Sequence, residues 1–232
     1  MKIIALIPAR SGSKELKDKN IRLYNGIPLL AHSIQLALQC TYISEVYVST
    51  DSIAYQKIAI QYGANVTPLR PKEISDDLSP DIDVFFHFLS NYTAPFPNMM
   101  VHLRPTYPNR SITLLNNCIR TMIRYYDKYD SLRTVIPFSK TPYKMYFIKE
   151  NQLIPFLQEH PHLQEPYNQA RQHFPDTYLH NGCIDIVKTD IVFDRYQMSG
   201  DRIFPYIMNS NENNDIDTII DFQQSEQKLK KI

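Results

Sequence analysis

Residues 2–14 read Lys-Ile-Ile-Ala-Leu-Ile-Pro-Ala-Arg-Ser-Gly-Ser-Lys, and Lys19-Asn20 follow shortly after. The isoleucine-rich part predicts a short buried strand. Pro8 predicts its end, because proline has no N–H to give to a sheet. The polar loop that follows carries the cations Arg10, Lys14, Lys17 and Lys19. Cationic side chains and free backbone N–H groups after a first strand suit a polyphosphate, so we expect a nucleotide site here.

Composition narrows the class of protein. The 232 residues are enough to bury a core without disulfides or metals. A formal net charge of +1 argues against nucleic-acid binding, since such domains carry a strong basic excess. Three cysteines without C-x-x-C spacing predict free thiols in a reducing cytoplasm. No run reaches the roughly 18 apolar residues of a membrane helix, so we expect a cytoplasmic protein that binds no membrane.

The first half of the chain alternates short apolar runs with longer amphipathic segments. Strands are predicted at 2–8, 45–49, 65–68 and 99–103, and helices at 28–40, 53–62, 81–91 and 112–126. This alternation predicts a Rossmann-like α/β fold, a mostly parallel sheet with helices on both faces. Ligands of such sheets bind outside the carboxyl ends of the strands. Polar clusters at 10–14, 49–51 and 104–110 follow predicted strand ends, so we expect them to share one rim.

The second half has a different character. Strands are predicted at 132–138, 143–149, 182–188 and 203–207, and a last amphipathic helix at 218–230. Residues 139–180 are polar and show little periodicity over most of their length. We interpret 1–232 as one domain and 139–180 as an insertion within it that packs on a partner subunit.

Two motifs bear on the chemistry. Gly12 stands alone, which excludes both G-x-G-x-x-G and G-x-x-x-x-G-K-[ST] nucleotide sites at the first loop. Asp215 and Asp217 flank one isoleucine, and in an extended segment both carboxylates point the same way. Two such carboxylates suit Mg²⁺, which takes oxygen ligands and shares its shell with phosphates. The alternative is that Asp217 merely caps the last helix.

Taken together, these segments resemble the acylneuraminate cytidylyltransferases, the CMP-N-acetylneuraminic acid synthetase family. The segments that carry the resemblance are, in chain order, Ile7-Pro-Ala-Arg-Ser-Gly-Ser-Lys14 with Lys19-Asn20, Val48-Ser-Thr-Asp51, Leu69-Arg-Pro71 with Asp77 downstream, Arg104-Pro-Thr-Tyr-Pro-Asn-Arg110, Pro142-Tyr-Lys144, Gln169-Ala-Arg-Gln172, Asn181-Gly182 and Asp215-Ile-Asp-Thr218. Each segment is a weak signal alone, but together they span nearly the whole chain in the family's order.

The resemblance implies an enzyme that joins a sialic-acid-type nonulosonic acid to CMP, using CTP and releasing pyrophosphate. It implies contacts to the nucleotide from Arg10, Ser13, Lys14, Lys19, Asn20 and, near the cytosine, Arg70. It implies a sugar side made of Arg104, Thr106, Lys144, Arg171 and Gln172. It implies Mg²⁺ or Mn²⁺ at Asp215 and Asp217, with catalysis carried by these acids, Arg10 and Lys19. It also implies a homodimer, in which the 139–180 insertion reaches over the partner's site.

Departures from the family pattern bear on the substrate. Glu15-Leu16-Lys17 stand where the family has Gly-Leu-Pro, and Arg104 stands where sialic-acid enzymes commonly have glutamine near the sugar. A cation in place of a neutral amide changes which groups a pocket accepts. We therefore expect a related sugar, such as legionaminic or pseudaminic acid. The alternatives are a 3-deoxy-manno-octulosonate-type synthetase, a nucleotide-sugar-dependent glycosyltransferase and a non-catalytic nucleotide-binding module.

Overall fold

The fold is described from a computed structural model, which places residues 1–13, 16–209 and 214–229. The strands are β1 (Ile3–Pro8), β2 (Leu23–Tyr24), β3 (Ile27–Pro28), β4 (Glu45–Ser49), β5 (Asn65–Val66), β6 (Met99–His102), β7 (Ser131–Phe138), β8 (Tyr146–Lys149), β9 (Gln152–Pro155), β10 (Thr177–Lys188) and β11 (Ile203–Ile207). The helices are α1 (Leu29–Gln39), α2 (Ile53–Gln61), α3 (Asp81–Ser90), α4 (Ile112–Arg124), α5 (Thr189–Phe193) and α6 (Ile219–Leu229).

A seven-stranded sheet organises the chain, in the order β11-β7-β10-β6-β1-β4-β5. Neighbouring strands run parallel except at β10, which pairs antiparallel with both β6 and β7. The predicted mostly parallel α/β sheet is therefore confirmed. Strand β1 lies inside the sheet, parallel to β4 on one side and to β6 on the other, so the carboxyl ends of all three open onto one edge.

Successive residues of β1 face opposite layers, as side chains of a strand must. Ile3, Ala5 and Ile7 pack with residues of α1, α2 and α4. Ile4 and Leu6 pack with residues of α3 and α5 on the other face. All five are at most 2% exposed, which explains why β1 reads as a continuous apolar run.

Several elements differ from the sequence-based prediction. Residues 23–28 form the β2–β3 hairpin, which the prediction missed. Its turn residues Asn25 and Gly26 both have positive φ, 47° and 85°, as a two-residue hairpin turn of type I′ requires. The strand predicted at 143–149 is wrong in its first part, because Pro142–Lys144 form a 3₁₀ turn and β8 begins at Tyr146. The short helix α5 was also missed.

The 139–180 segment is more ordered than its sequence suggests. It contains the β8–β9 hairpin, 3₁₀ turns at Pro166–Asn168 and Arg171–His173, and the start of β10. β10 therefore begins at Thr177, earlier than predicted, with an irregularity in its pairing to β7 between His180 and Asp185. The insertion has a small core of its own, in which the rings of Tyr143 and Phe174 stack at 4.7 Å.

Two predictions about the chain as a whole concern cysteines and membranes. The three cysteines, Cys40, Cys118 and Cys183, are buried free thiols, as expected. Within the described ranges, no helix is both long enough and apolar enough to cross a lipid bilayer.

Candidate active site

The carboxyl ends of β1 and β6 line a cleft of about 210 Å³. The loop after β1 is fastened to the end of β4, because the backbone N–H and hydroxyl of Ser11 donate to Asp51 at 2.8 and 2.7 Å. The loop after β6 forms another wall. The predicted site residues that line the cleft are Arg10, Ser13, Lys19, Asn20, Arg70, Arg104 and Thr106. The expected shared rim is therefore present in the structure.

The first loop is held by its own side chains. Arg10 pairs with Asp77 and donates to the Gly12 carbonyl at 2.9 Å. The Asn20 amide donates to the Arg10 carbonyl at 3.0 Å, so the start and the end of the loop are tied together. Lys17 is exposed. Lys14, predicted to contact the nucleotide, lies outside the described residues.

Lys19 joins the two ends of the chain. Its Nζ donates to the Ile216 carbonyl at 3.1 Å and lies 3.4 Å from Asp217 Oδ1. Ile216 is fully buried against Leu16, Tyr24 and other apolar side chains. Because Ile216 points inward, Asp215 and Asp217 on either side of it are exposed. The C-terminal acids therefore lie next to the N-terminal loop, but they do not line the cleft itself.

The acids are not used to cap the last helix. Thr218 Oγ1 accepts from the Asp221 N–H at 3.2 Å, and Asp221 Oδ2 accepts from the Thr218 N–H at 2.8 Å. This reciprocal pair is a capping box, so Asp217 is available for another role. Although Asp215 as a residue is exposed, surrounding protein atoms desolvate its carboxyl group and raise its pKa, and the neighbouring Asp217 adds to the effect.

The donor set suits a magnesium ion that shares its ligands with a substrate. Among the described residues, no group of three or more histidines, cysteines or acids could hold a metal by itself. Mg²⁺, however, is usually bound by one or two carboxylates together with substrate phosphates and water. Asp215 and Asp217 supply two carboxylates beside the predicted phosphate loop, and this arrangement fits that chemistry.

Arg70 is an incompletely paired cation in the cleft wall. The residue is 6% exposed, and its Nε and Nη2 have no hydrogen-bond partner in the structure. Burial lowers the pKa of its guanidinium, while Asp51 opposes that shift. A buried donor without a partner costs about 1–3 kcal/mol. The position of Arg70 in the cleft points to a ligand acceptor as the missing partner.

Arg104 is clamped between two acids that the sequence analysis did not single out. Its Nη1 donates to Asp185 at 2.8 Å and to the Gly182 carbonyl at 3.1 Å, and its Nη2 donates to Asp81 at 2.9 Å. Gly182 has a positive φ of 68°, and an added Cβ would lie 3.1 Å from Arg104 Nη1. Burial opposes the charged form of Asp185, but His180 and Arg104 outweigh it and lower its pKa.

His102, at the end of β6, was also missed. It is 1% exposed, neither ring nitrogen has a hydrogen-bond partner among the described residues, and Nδ1 lies 3.9 Å from Asp81. Burial lowers its pKa to about 4, and Arg104 adds to the shift. The signal that could have revealed it is a histidine inside the apolar run of β6, which a buried strand does not need.

The remaining predicted sugar residues lie elsewhere. Lys144, Arg171 and Gln172 are exposed on the 3₁₀ turns of the insertion and do not line the cleft. The structure of one chain therefore does not bring them to the site. Their role on the sugar side stays a prediction.

A mostly parallel sheet with a cationic loop after β1 and an acidic pair on the same rim defines an α/β protein of the nucleotidyltransferase type. The sequence profile of the cytidylyltransferase family matches residues 4–121. The chain belongs to this family, and the resemblance to its acylneuraminate branch is confirmed by named relatives.

Three curated relatives illustrate the branch. The N-acylneuraminate cytidylyltransferase of Escherichia coli O18:K1:H7 is 32% identical over 96% of this chain and 51% of the relative. The CMP-N,N'-diacetyllegionaminic acid synthase of Legionella pneumophila is 33% identical over 97% of this chain and 95% of the relative. An N-acylneuraminate cytidylyltransferase of Streptococcus agalactiae serotype V is 30% identical over 96% and 52%. The chain thus spans about half the length of some relatives and nearly all of another.

Solved structures share the fold. A CMP:2-keto-3-deoxy-manno-octonic acid synthetase complexed with CTP matches with a TM-score of 0.73 at 15% identity, covering 100% of this chain and 99% of the other. The 4-diphosphocytidyl-2C-methyl-D-erythritol synthase from Anaerococcus prevotii matches with a TM-score of 0.63 at 12% identity, covering 99% and 98%. At these identities the likeness is one of fold.

Proposed function

We propose that this chain is a single cytidylyltransferase domain that activates a nonulosonic acid with CTP, giving a CMP-sugar and pyrophosphate. The observation that carries the proposal is the contact of Lys19, which lines the cleft, with Ile216 and Asp217, because it sets the acidic pair beside the cationic loop. A triphosphate needs both features, cations for its oxygens and carboxylates for its metal. The names of the relatives supply the sugar class.

The reaction is a displacement at phosphorus. The anomeric oxygen of the sugar forms a bond to the α-phosphorus of CTP, and the bond from that phosphorus to the bridging oxygen of pyrophosphate breaks. The hydroxyl proton leaves to solvent or to a base that we do not assign. Such transfer depends mainly on positioning and charge stabilisation. We assign the phosphates to Arg10, Ser13, Lys14, Lys19 and Asn20, and the cytosine end to Arg70.

Asp215 and Asp217 are the residues that would hold Mg²⁺ or Mn²⁺. When bound, the ion supplies positive charge that stabilises the pyrophosphate leaving group. Lys19 touches Asp217 at 3.4 Å, so it balances the acid and stays within reach of a phosphate at the same rim. The chain itself therefore contributes a lysine and a carboxylate that are already in contact before a substrate binds.

In this proposal the residues that bind the sugar come from two subunits. Arg104 lies in the cleft of the same chain, whereas Lys144, Arg171 and Gln172 would come from the partner of a homodimer. Since Arg104 is bound to two acids, it presents hydrogen bonds with its charge already compensated. A guanidinium differs from a neutral amide in the donors that it offers, so we keep a sugar of the legionaminic or pseudaminic type as the proposed substrate. We place the enzyme in the cytoplasm, where CTP is made.

The test is pyrophosphate release from CTP and Mg²⁺ with a panel of sugars: N-acetylneuraminic, legionaminic, pseudaminic and 3-deoxy-manno-octulosonic acids. We expect turnover with at least one of the first three. Release with the octulosonic acid alone would identify the other synthetase type, and CTP binding without release would identify a binding module.

Asp217→Asn tests the acidic pair within the same assay. Losing one preorganised electrostatic contact of about 2.7–4 kcal/mol slows turnover by about 10²–10³. The control is Asp127→Asn, at an exposed position after α4, which should keep the parental rate. Activity of Asp217→Asn within a few-fold of the parent at saturating Mg²⁺ removes Asp217 from the metal role.

A further inference from the structure

Strand β10 leaves its regular pairing with β7 between His180 and Asp185. Gly182 lies inside this irregular segment, and its φ of 68° is a conformation that side chains rarely adopt. Irregularities of this kind re-aim side chains and are frequent beside active sites. We therefore asked which side chain the segment from His180 to Asp185 directs.

Two buried polar side chains hold the irregular segment in one shape. The hydroxyl of Thr134, on β7, donates to Asn181 Oδ1 at 2.8 Å and accepts from the Ile184 N–H at 3.0 Å. Asn181 Oδ1 also accepts from the Cys183 N–H at 3.1 Å. Thr134 is fully buried and Asn181 is 7% exposed, so these bonds are shielded from water. The segment is therefore a built feature of the fold.

The group that this segment holds is the guanidinium of Arg104. Nη1 donates to the Gly182 carbonyl at 3.1 Å and to Asp185 Oδ2 at 2.8 Å. Asp185 is 5% exposed, and its other oxygen accepts from His180 Nε2 at 2.8 Å. Together with the bond from Nη2 to Asp81, these contacts use three of the five N–H groups of the guanidinium. The N–H groups that remain are on Nε and Nη2, and the side chain is 28% exposed where it lines the cleft.

We propose that Asp185 is a positioning residue for the sugar side of the site. Together with the Gly182 carbonyl, it fixes the guanidinium of Arg104 so that the two remaining N–H groups meet an acceptor oxygen of the sugar. The inference rests on the proposed function, because that function places Arg104 on the sugar side. It also gives a task to Asn181-Gly182, a segment that carried the family resemblance without a role in the site.

A double-mutant cycle tests whether Asp185 acts through Arg104. Asp185→Asn keeps the shape of the side chain and removes its charge, and it is compared with Arg104→Gln and with the double variant. The KM of the sugar is measured by pyrophosphate release at saturating CTP and Mg²⁺, and the Kd of CTP by calorimetry without sugar. We expect each single change to raise the KM of the sugar about 10-fold or more, as the loss of a charge-assisted hydrogen bond does, and to leave the Kd of CTP within a few-fold.

The double variant should be no worse than Arg104→Gln alone, because a residue that works only through Arg104 has nothing left to position. Asp194→Asn, at an exposed position just after α5, is the matched control and should keep the parental KM. Gly182→Ala is the second variant and decides the question if Asp185→Asn does not fold. Its added Cβ would lie 3.1 Å from Arg104 Nη1, so it should raise the KM of the sugar in the parent but not in Arg104→Gln.

Several results would overturn the inference. An unchanged KM of the sugar in Asp185→Asn and Gly182→Ala would do so, and so would a double variant whose loss is the product of the two single losses. A Kd of CTP that rises as much as the KM of the sugar would make the effect a general one. If Arg104→Gln itself keeps the parental KM, Arg104 leaves the sugar side and this inference fails, while turnover by the parent still supports the proposed function. A parent that releases no pyrophosphate with any sugar overturns the proposed function itself.

Discussion

At the scale of one residue, the proposed nucleotide contact of Arg70 can be separated from a structural role. A buried guanidinium with unpartnered donors is a cost to the ligand-free fold. We predict that Arg70→Met leaves the free energy of unfolding equal to or above that of the parent, as measured by urea denaturation. The same change should raise the Kd of CTP by about 10- to 100-fold, the loss of hydrogen bonds to a charged group. A destabilised variant with normal CTP affinity would make Arg70 a structural residue.

His102 gives the protein a pH-dependent stability. Its folded pKa of about 4 lies below the ordinary value of 6.5, because burial disfavours the charged ring. Between these values the unfolded chain takes up a proton that the folded chain refuses, so stability falls as the pH is lowered through this window. The contribution lost between pH 6.5 and 5 is about 2 kcal/mol.

His102→Leu checks this prediction by urea unfolding at both pH values. The free energy of unfolding of His102→Leu should fall less between pH 6.5 and 5 than that of the parent. His173→Leu changes an exposed histidine, and its free energy of unfolding should fall as much as that of the parent. An identical pH response in all three proteins would show that His102 does not set it.

The sequence predicted the cleft residues that belong to motifs and missed those that meet only through packing. Arg10, Lys19 and Arg104 stand in recognisable segments, and the structure brings them to one rim. Asp81 and Asp185 are far apart in the chain and come together only because α3 and β10 pack beside β6. No sequence spacing relates such positions, so ion pairs of this kind can be found only in a three-dimensional structure.

At the scale of elements, the start of α6 sets the direction of the acids just before it. The capping box between Thr218 and Asp221 fixes where extended chain becomes helix. We predict that Thr218→Ala lowers the free energy of unfolding by about 1 kcal/mol. Thr218→Ser should restore it, and urea denaturation measures both. Equal stability in all three proteins would mean that the cap contributes nothing to the fold.

Helices with a clear repeat of apolar residues were predicted correctly from the sequence, and very short elements were not. The helices α1 to α4 lie within two residues of their predicted bounds, because an amphipathic face repeats over several turns. The hairpin β2–β3 and the helix α5 are too short to show a period. β9 was missed because Gln152–Pro155 are partly or fully exposed and lie in a polar stretch. The order of strands in the sheet, with β10 antiparallel between β6 and β7, also carried no sequence signal.

At the scale of the whole molecule, the β8–β9 hairpin presents a surface that one chain does not cover. Its exposed apolar side chains include the cross-strand pair Ile148 (74% exposed) and Leu153 (68%), which share one face of the hairpin. Contiguous exposed apolar residues mark interaction surfaces more often than free ones. Lys144 and Arg171 lie on the turns of the same insertion and outside the cleft. A symmetric dimer that buries the hairpin would deliver those cations to the partner's site.

Subunit complementation tests this arrangement directly. Asp217→Asn and Arg171→Ala should each be nearly inactive at low sugar concentration, the second with normal CTP affinity. In a dimer with shared sites, mixing the two after dissociation and reassociation gives mixed dimers in which one site combines an intact Asp217 with the partner's intact Arg171. Random pairing then restores about a quarter of the parental activity, since half the dimers are mixed and each has one complete site. Ile148→Asp in both chains should abolish the rescue and yield monomers in sedimentation experiments. If mixing restores nothing while the dimers exchange freely, the insertion serves its own chain, and the cleft of a single subunit is complete.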